Sequence, residues 1–178
     1  MRILVVYASK YGSTRGIAER IADTLNESGQ QAAAVPASKA GVLDGYDAFV
    51  IGSAAYMGSW LTEAAGFVRR NAARLRAKPV WLFSSGPIGT ANVDAQGRDV
   101  REATVPKEIA EFRSSIEPRD HRVFFGAFDH TKLNFTHRLV YALPAMKSLL
   151  TDGDFRDWDE IDSWAKEIAA ALVPAGVG

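Results

Sequence analysis

Directly after Met1-Arg2 the chain runs Ile3-Leu4-Val5-Val6-Tyr7, apolar at every position and rich in β-branched side chains. A strand with one face in water alternates apolar and polar residues. An unbroken run like this needs cover on both faces, as inside a parallel sheet. A Ser/Gly/Thr cluster, Ser9 to Thr14, comes next. Then Ile17, Ile21 and Leu25 recur in steps of four, with Glu19, Arg20, Asp23 and Glu27 on the other sides. That spacing predicts an amphipathic helix ending near Ser28-Gly29.

The same unit repeats along the chain. Gln31 to Pro36 is an Ala-rich second strand, and Asp47-Ala48-Phe49-Val50-Ile51-Gly52 is a third. Leu61, Ala65, Val68, Ala72 and Leu75 mark one helix, with Arg69, Arg70, Arg74, Arg76 and Lys78 on its outer face and tail. Val80-Trp81-Leu82-Phe83 is a fourth buried strand, followed by a Gly-rich loop and a short helix near Lys107 to Ser115. His121 to Phe128 reads as the fifth strand and Trp158 to Leu172 as the last helix, with Ile161, Trp164, Ala165, Ile168 and Leu172 on one face. Strands alternating with helices imply an α/β fold: a doubly wound, three-layer sandwich around a five-stranded parallel sheet. Ligands of such sheets bind beyond the carboxyl ends of the strands, where strand order reverses. Function is therefore expected in the loops after strands one, three and four: Ser9–Thr14, Ser53–Trp60 and Ser84–Asp94.

Composition narrows the chemistry. With no Cys among 178 residues, disulfides, thiolate metal sites and cysteine nucleophiles are excluded. Lys+Arg and Asp+Glu both number 21, so there is no basic surplus for nucleic acid. The chain is expected to be one domain, 1–178. It has neither a secretory apolar segment nor a membrane-spanning one, so a cytoplasmic location is expected. His121, His130 and His137 are spaced in a way that suggests no metal site.

The first loop joins a buried strand to a helix N-terminus. Backbone N–H groups there have no intrahelical partner, and the helix dipole favours an anion. Ser9, Ser13 and Thr14 add hydroxyls, and Gly12 permits a positive φ. The loop suits a phosphate without needing a positive charge, although capping of the helix by Ser13 or Thr14 would explain the same residues. A Walker loop is absent, only Gly12 and Gly16 stand where a dinucleotide fingerprint would be, and no acid follows strand one as a phosphoacceptor domain would need.

Taken together, the apolar strand, Ser9-x-x-Gly12-x-Thr14 and the amphipathic helix resemble the flavodoxin FMN-phosphate loop. Tyr56-Met57-Gly58-Ser59-Trp60 resembles the flavodoxin loop that covers one face of the flavin ring, and Ser84-Ser85-Gly86-Pro87-Ile88-Gly89 is similar to the loop on the other side. The resemblance implies a sheet order of 2-1-3-4-5 and FMN as cofactor. It implies Ser9, Lys10, Tyr11, Gly12, Ser13 and Thr14 at the phosphate, and Ala55, Tyr56, Met57 and Gly58 on one ring face. Ser84, Ser85, Gly86, Pro87, Ile88 and Gly89 stand on the other. Tyr56, Met57 and Trp60 are the stacking candidates; Trp60 and Met57 would also serve as core for the next helix. No aromatic stands between Ser84 and Asp94, which leaves one ring face open. No catalytic residue is assigned, because the redox chemistry belongs to the flavin.

A short flavodoxin would run from strand five almost directly into its last helix. Here an insert, about 129–156, intervenes. Phe135, Leu139, Leu143, Met146 and Leu150 recur at helical spacing in it, with Lys132, Arg138 and Lys147 as its basic residues and no acid from His130 through Thr151. The insert is a helix packed on the sheet edge or in a homodimer contact, or a basic amphipathic surface (132–150) that touches a membrane or a quinone. With the Asp-Trp start of the last helix, it resembles the bacterial menaquinone-dependent protoporphyrinogen oxidases, a flavodoxin-like family that passes electrons from a haem precursor to a quinone. The resemblance implies an FMN-dependent oxidoreductase with a small-molecule redox substrate or quinone as partner. An electron-transfer protein without its own substrate is the alternative.

Overall fold

In the computed structural model, which describes residues 1–133 and 152–173, the opening run becomes β1 (Arg2–Ala8). Its neighbours in the sheet are β2 (Gln31–Pro36) and β3 (Ala48–Tyr56), followed outward from β3 by β5 (Val80–Ser85) and β6 (Asp120–Phe124). All these pairs are parallel, in the order β2-β1-β3-β5-β6. The extra number arises from β4 (Ser59–Trp60), a two-residue antiparallel return on β3. The five long strands thus have the expected order.

Each buried strand serves two cores. Ile3, Val5, Val50, Trp81 and Phe83 face one side, where α1 (Ser13–Glu27) and α6 (Trp158–Leu172) pack on them. Leu4, Val6, Phe49, Ile51 and Leu82 face the other, under α2 (Thr62–Arg70), α3 (Ala72–Arg76) and α5 (Glu108–Ser115). Side chains alternate between faces along a strand, so two dry faces leave no polar position, which accounts for the continuous apolar runs. Phe83, Phe124 and Trp164 meet at centroid distances of 6.2, 6.2 and 5.5 Å. On the same side Arg20 clamps Asp162 with two hydrogen bonds, 2.6 and 2.5 Å, tying α1 to α6.

Several boundaries differ from the sequence reading. The helix expected across Leu61–Leu75 breaks at Asn71, whose Nδ2 donates to the Phe67 carbonyl (2.8 Å) and draws the backbone out of helical geometry. Strand three continues to Tyr56 and turns back through Met57-Gly58, so Tyr56 lies in a strand rather than a loop. The fifth strand splits: β6 ends at Phe124, and β7 (Ala127–Phe128) pairs instead with β8 (Gly153–Asp154). A one-turn helix, α4 (Val100–Ala103), was not expected. The amphipathic pattern from Phe135 to Leu150, and His137 with it, lies outside the described residues. Among the described residues no helix is long and apolar enough to cross a membrane.

Strand order reverses at β1. In register, Ala8 stands opposite Ser53 and Ser53 opposite Ser84, so the three carboxyl ends lie side by side and their loops converge.

Candidate functional site

The converging loops enclose a cavity of about 580 Å³. All six residues of Ser9–Thr14 line it, with Ala55, Tyr56 and Met57 from the hairpin and Ser85, Gly86 and Ile88 from the third loop. Gly58, Ser84, Pro87 and Gly89 do not. Ser84 points through the sheet instead: its Oγ accepts from Trp60 Nε1 and stands 2.8 Å from His121 Nε2. The Pro87 carbonyl accepts from Gly126 N–H (2.8 Å), the Gly58 carbonyl from Lys107 N–H (3.0 Å), and Gly89 borders a separate hollow. Trp60 is core, buried and 5.3 Å from Phe112.

The polar end starts at the uncapped N-terminus of α1. Gly12 occupies the cap position at φ +92, where an L side chain would be strained, and no side chain caps the helix. The first turn carries no acid. Ser9 Oγ accepts from Gly12 N–H (3.1 Å), and Ser13 Oγ accepts from Ala127 N–H (2.8 Å). Thr14 is 1% exposed, and its Oγ1 has no hydrogen-bond partner among the described residues. A buried hydroxyl left unpaired costs roughly 1–3 kcal/mol, so one at a helix N-terminus fits a ligand with acceptor oxygens.

The opposite end is apolar and open. Met57 is fully exposed at the hairpin tip, Tyr56 is 42% exposed and Ile88 37%. Lys10 Nζ stands 5.9 Å from the Tyr11 ring and 5.8 Å from the Tyr56 ring, within cation–π range. Burial of the hydroxyl end, with Tyr11 beside it, pushes the Tyr56 phenol up to about 12, so it stays neutral. Below the loops, burial and the Arg113 charge push His121 down to about 4. His121 is therefore neutral where its Nε2 meets the Ser84 hydroxyl.

A fourth wall was missed by the sequence reading. Gly126, Ala127, Phe128, Asp129, Lys132 and Leu133 line the cavity after β6, and Arg156 lines it just before α6. The signal was the glycine at the end of an apolar run, hidden by reading His121–Phe128 as one strand. At the rim, ligand atoms of Asp129, His130 and Asp152 lie within 4.8 Å of one another, a grouping that spacing alone did not suggest. Lys132 Nζ is 3.5 Å from Asp129 and already places a positive charge beside it. His130 itself does not line the cavity.

An anion cradle at the switch point, with an apolar slot beside it, defines a phosphorylated-cofactor domain of the doubly wound class. Residues 4–154 match the flavodoxin domain family, so the chain belongs to that family, and FMN is its cofactor. The chain is 27% identical over 179 residues to the protoporphyrinogen IX dehydrogenase (quinone) of Escherichia coli K12, with 95% of each covered. An archaeal flavodoxin superposes with a TM-score of 0.60 at 17% identity, over 96% of this chain and 98% of that one. The rubredoxin oxygen:oxidoreductase of Desulfovibrio gigas gives 0.59 at 14% identity; 96% of this chain is covered, but it spans only 36% of that one. The residues present fit the cofactor: the orphaned Thr14 hydroxyl and the uncapped helix suit its phosphate, and the apolar lining at Ala55, Tyr56 and Ile88 suits a flavin ring.

Proposed function

We propose that this protein, as one domain spanning 1–178, is an FMN-dependent oxidoreductase that takes electrons from a small organic donor and delivers them to a quinone. Protoporphyrinogen is the donor of first choice. Ser9–Thr14 hold the phosphate in this reading, Ala55–Met57 line one side of the ring, and Ser85, Gly86 and Ile88 the other. Bound FMN supplies two-electron redox chemistry and is anionic when reduced.

One observation carries the reading beyond a simple carrier: among the described residues, three cations, Lys10, Lys132 and Arg156, line the cavity against one acid, Asp129. Positive lining favours the reduced, anionic cofactor and so favours accepting electrons from a substrate. The open apolar rim at Tyr56, Met57 and Ile88 gives a flat, greasy acceptor access. The relationship to the Escherichia coli enzyme, whose name gives both substrate and quinone, supports the choice of donor and acceptor. Each turnover moves two electrons and two protons from donor to quinone, leaving a quinol.

The test offers protoporphyrinogen and a quinone, without oxygen, to the FMN-loaded protein and measures the flavin midpoint potential alongside. Expected are quinol formation and a potential above that of free FMN. No quinol, together with a potential below that of free FMN, would overturn the proposal in favour of a low-potential carrier.

A further inference from the structure

The phosphate end of the cavity carries a guanidinium that the first loop alone does not supply. Arg156 reaches it from the segment between β8 and α6. Its Nη1 donates to the Ser13 carbonyl (3.3 Å), at the first residue of α1. Nε donates to Asp154 Oδ1 (2.7 Å), and Nη2 pairs with the other oxygen of that carboxylate. The guanidinium carbon lies 4.4 Å from the centroid of the Trp158 ring. The side chain is only 16% exposed and lies so close to α1 that a Cβ on Gly16 would stand 2.5 Å from Nη1.

Arginine has five N–H groups in a rigid fork. Three are spent on Asp154 and Ser13. A plain staple between the return segment and α1 would be complete with these. Yet Arg156 also lines the cavity, as do Thr14 and the rest of the first loop, where the N-terminus of α1 has no side-chain cap and no acid in its first turn. A pre-positioned fork with N–H groups to spare, on a residue that shares a cavity with the first loop, is suited to a phosphate.

We propose that Arg156 is a phosphate-recognition residue that closes the polar end of the cavity and sets the preference for FMN over riboflavin. Asp154 and Trp158 are its positioning residues. The proposal rests on FMN being the cofactor and adds a charged contact from outside the first loop.

The test titrates FMN and riboflavin separately into flavin-free full-length protein, following flavin fluorescence at low and high salt. For Arg156→Gln, FMN affinity is expected to fall about ten- to a hundredfold while riboflavin affinity holds, as for loss of a charge-assisted hydrogen bond. The salt dependence of FMN binding should become shallower in the same variant. Equal losses for both flavins would show a staple only and overturn the proposal. Should Arg156→Gln not fold, Arg156→Lys keeps a charge and loses the fork; it should weaken FMN alone, and an equal change in both flavins overturns the proposal as well. A wild-type protein that binds neither flavin overturns the cofactor assignment itself, whereas wild-type FMN binding with equal losses in the variants overturns only the role of Arg156.

Discussion

At the polar end of the cavity almost every group is held by another: Ser9 by Gly12, Ser13 by Ala127, Arg156 by Asp154 and Trp158. At the hairpin end, Met57 stands fully in solvent on a two-residue turn, and Tyr56 before it is partly exposed. The first region is fixed before any ligand arrives, so little ordering entropy is lost on binding. The second has few contacts to lose, and a partner can approach there. Affinity should reside at the polar end and access at the hairpin end, which means substitutions at the two ends should move different measurements.

The floor joining the two ends should show the largest effect. In the unfolded chain His121 takes up a proton near its ordinary 6.5, while the folded protein refuses it until about 4. Between those values the unfolded state binds more protons, so stability falls as pH falls across that window. The full shift corresponds to about 3 kcal/mol. Urea unfolding at pH 7, 5.5 and 4 should show the decline, and His121→Gln should flatten it. A wild-type profile flat from 7 to 4 would disprove the link.

The next effect separates folding from binding at the polar end. Thr14→Val keeps the shape and removes the unpaired Oγ1. The flavin-free protein should gain about 1 kcal/mol while FMN affinity falls about tenfold. Thermal unfolding without flavin, beside an FMN titration, reads both. A variant that loses stability and keeps its affinity would show that this hydroxyl has no part in the cradle. Gly16→Ala sharpens the same contrast by a smaller step. Alanine in a helix is worth roughly 0.5–1 kcal/mol over glycine, yet its Cβ would displace the Arg156 fork. Stability should rise slightly and the FMN-over-riboflavin preference should fall.

The two ends were unequally legible in the sequence. Ser9–Thr14 could be read as a strand-to-helix junction because a buried strand, a glycine and hydroxyls before a helix leave a local trace, but the choice between an anion cradle and simple capping needed the structure, in which no side chain of the cap residue closes α1. The runs in β1, β3 and β5, and the period of α6, were readable for the same reason: burial on both faces, or on one stripe, leaves a direct trace. The hairpin end was read less well. Ser53-Ala54-Ala55-Tyr56 has the composition of a loop, and only long-range pairing makes it strand: Ser53 and Ala54 with Ser84 and Ser85, Ala55 and Tyr56 with Trp60 and Ser59. Trp60 looked like a stacking residue because the bond from its indole to Ser84 joins positions 24 apart in the chain. Arg156 was hardest to see: its partner Ser13 lies 143 residues away, and nothing local distinguishes it from other basic residues.

The smallest effect belongs to the hairpin tip. Met57 and Gly58 have φ of 49 and 72, the positive pair of a type I′ turn. Gly58 suits such a turn, but asparagine would fill the first position with less strain than methionine. The methionine side chain is fully exposed, so it contributes no packing to offset the strain. Met57→Asn should therefore stabilise the protein by about 0.5 kcal/mol, an estimate that follows from the turn preference alone. FMN and riboflavin affinities should shift together and by only a few-fold, because Met57 lines the ring end of the cavity and the polar end is untouched. If the exposed thioether is the surface on which a quinone settles, the Michaelis constant for quinone should rise a few-fold in the same variant. An unchanged constant would move quinone access away from this tip, and a lost flavin affinity would show that the two ends are not independent.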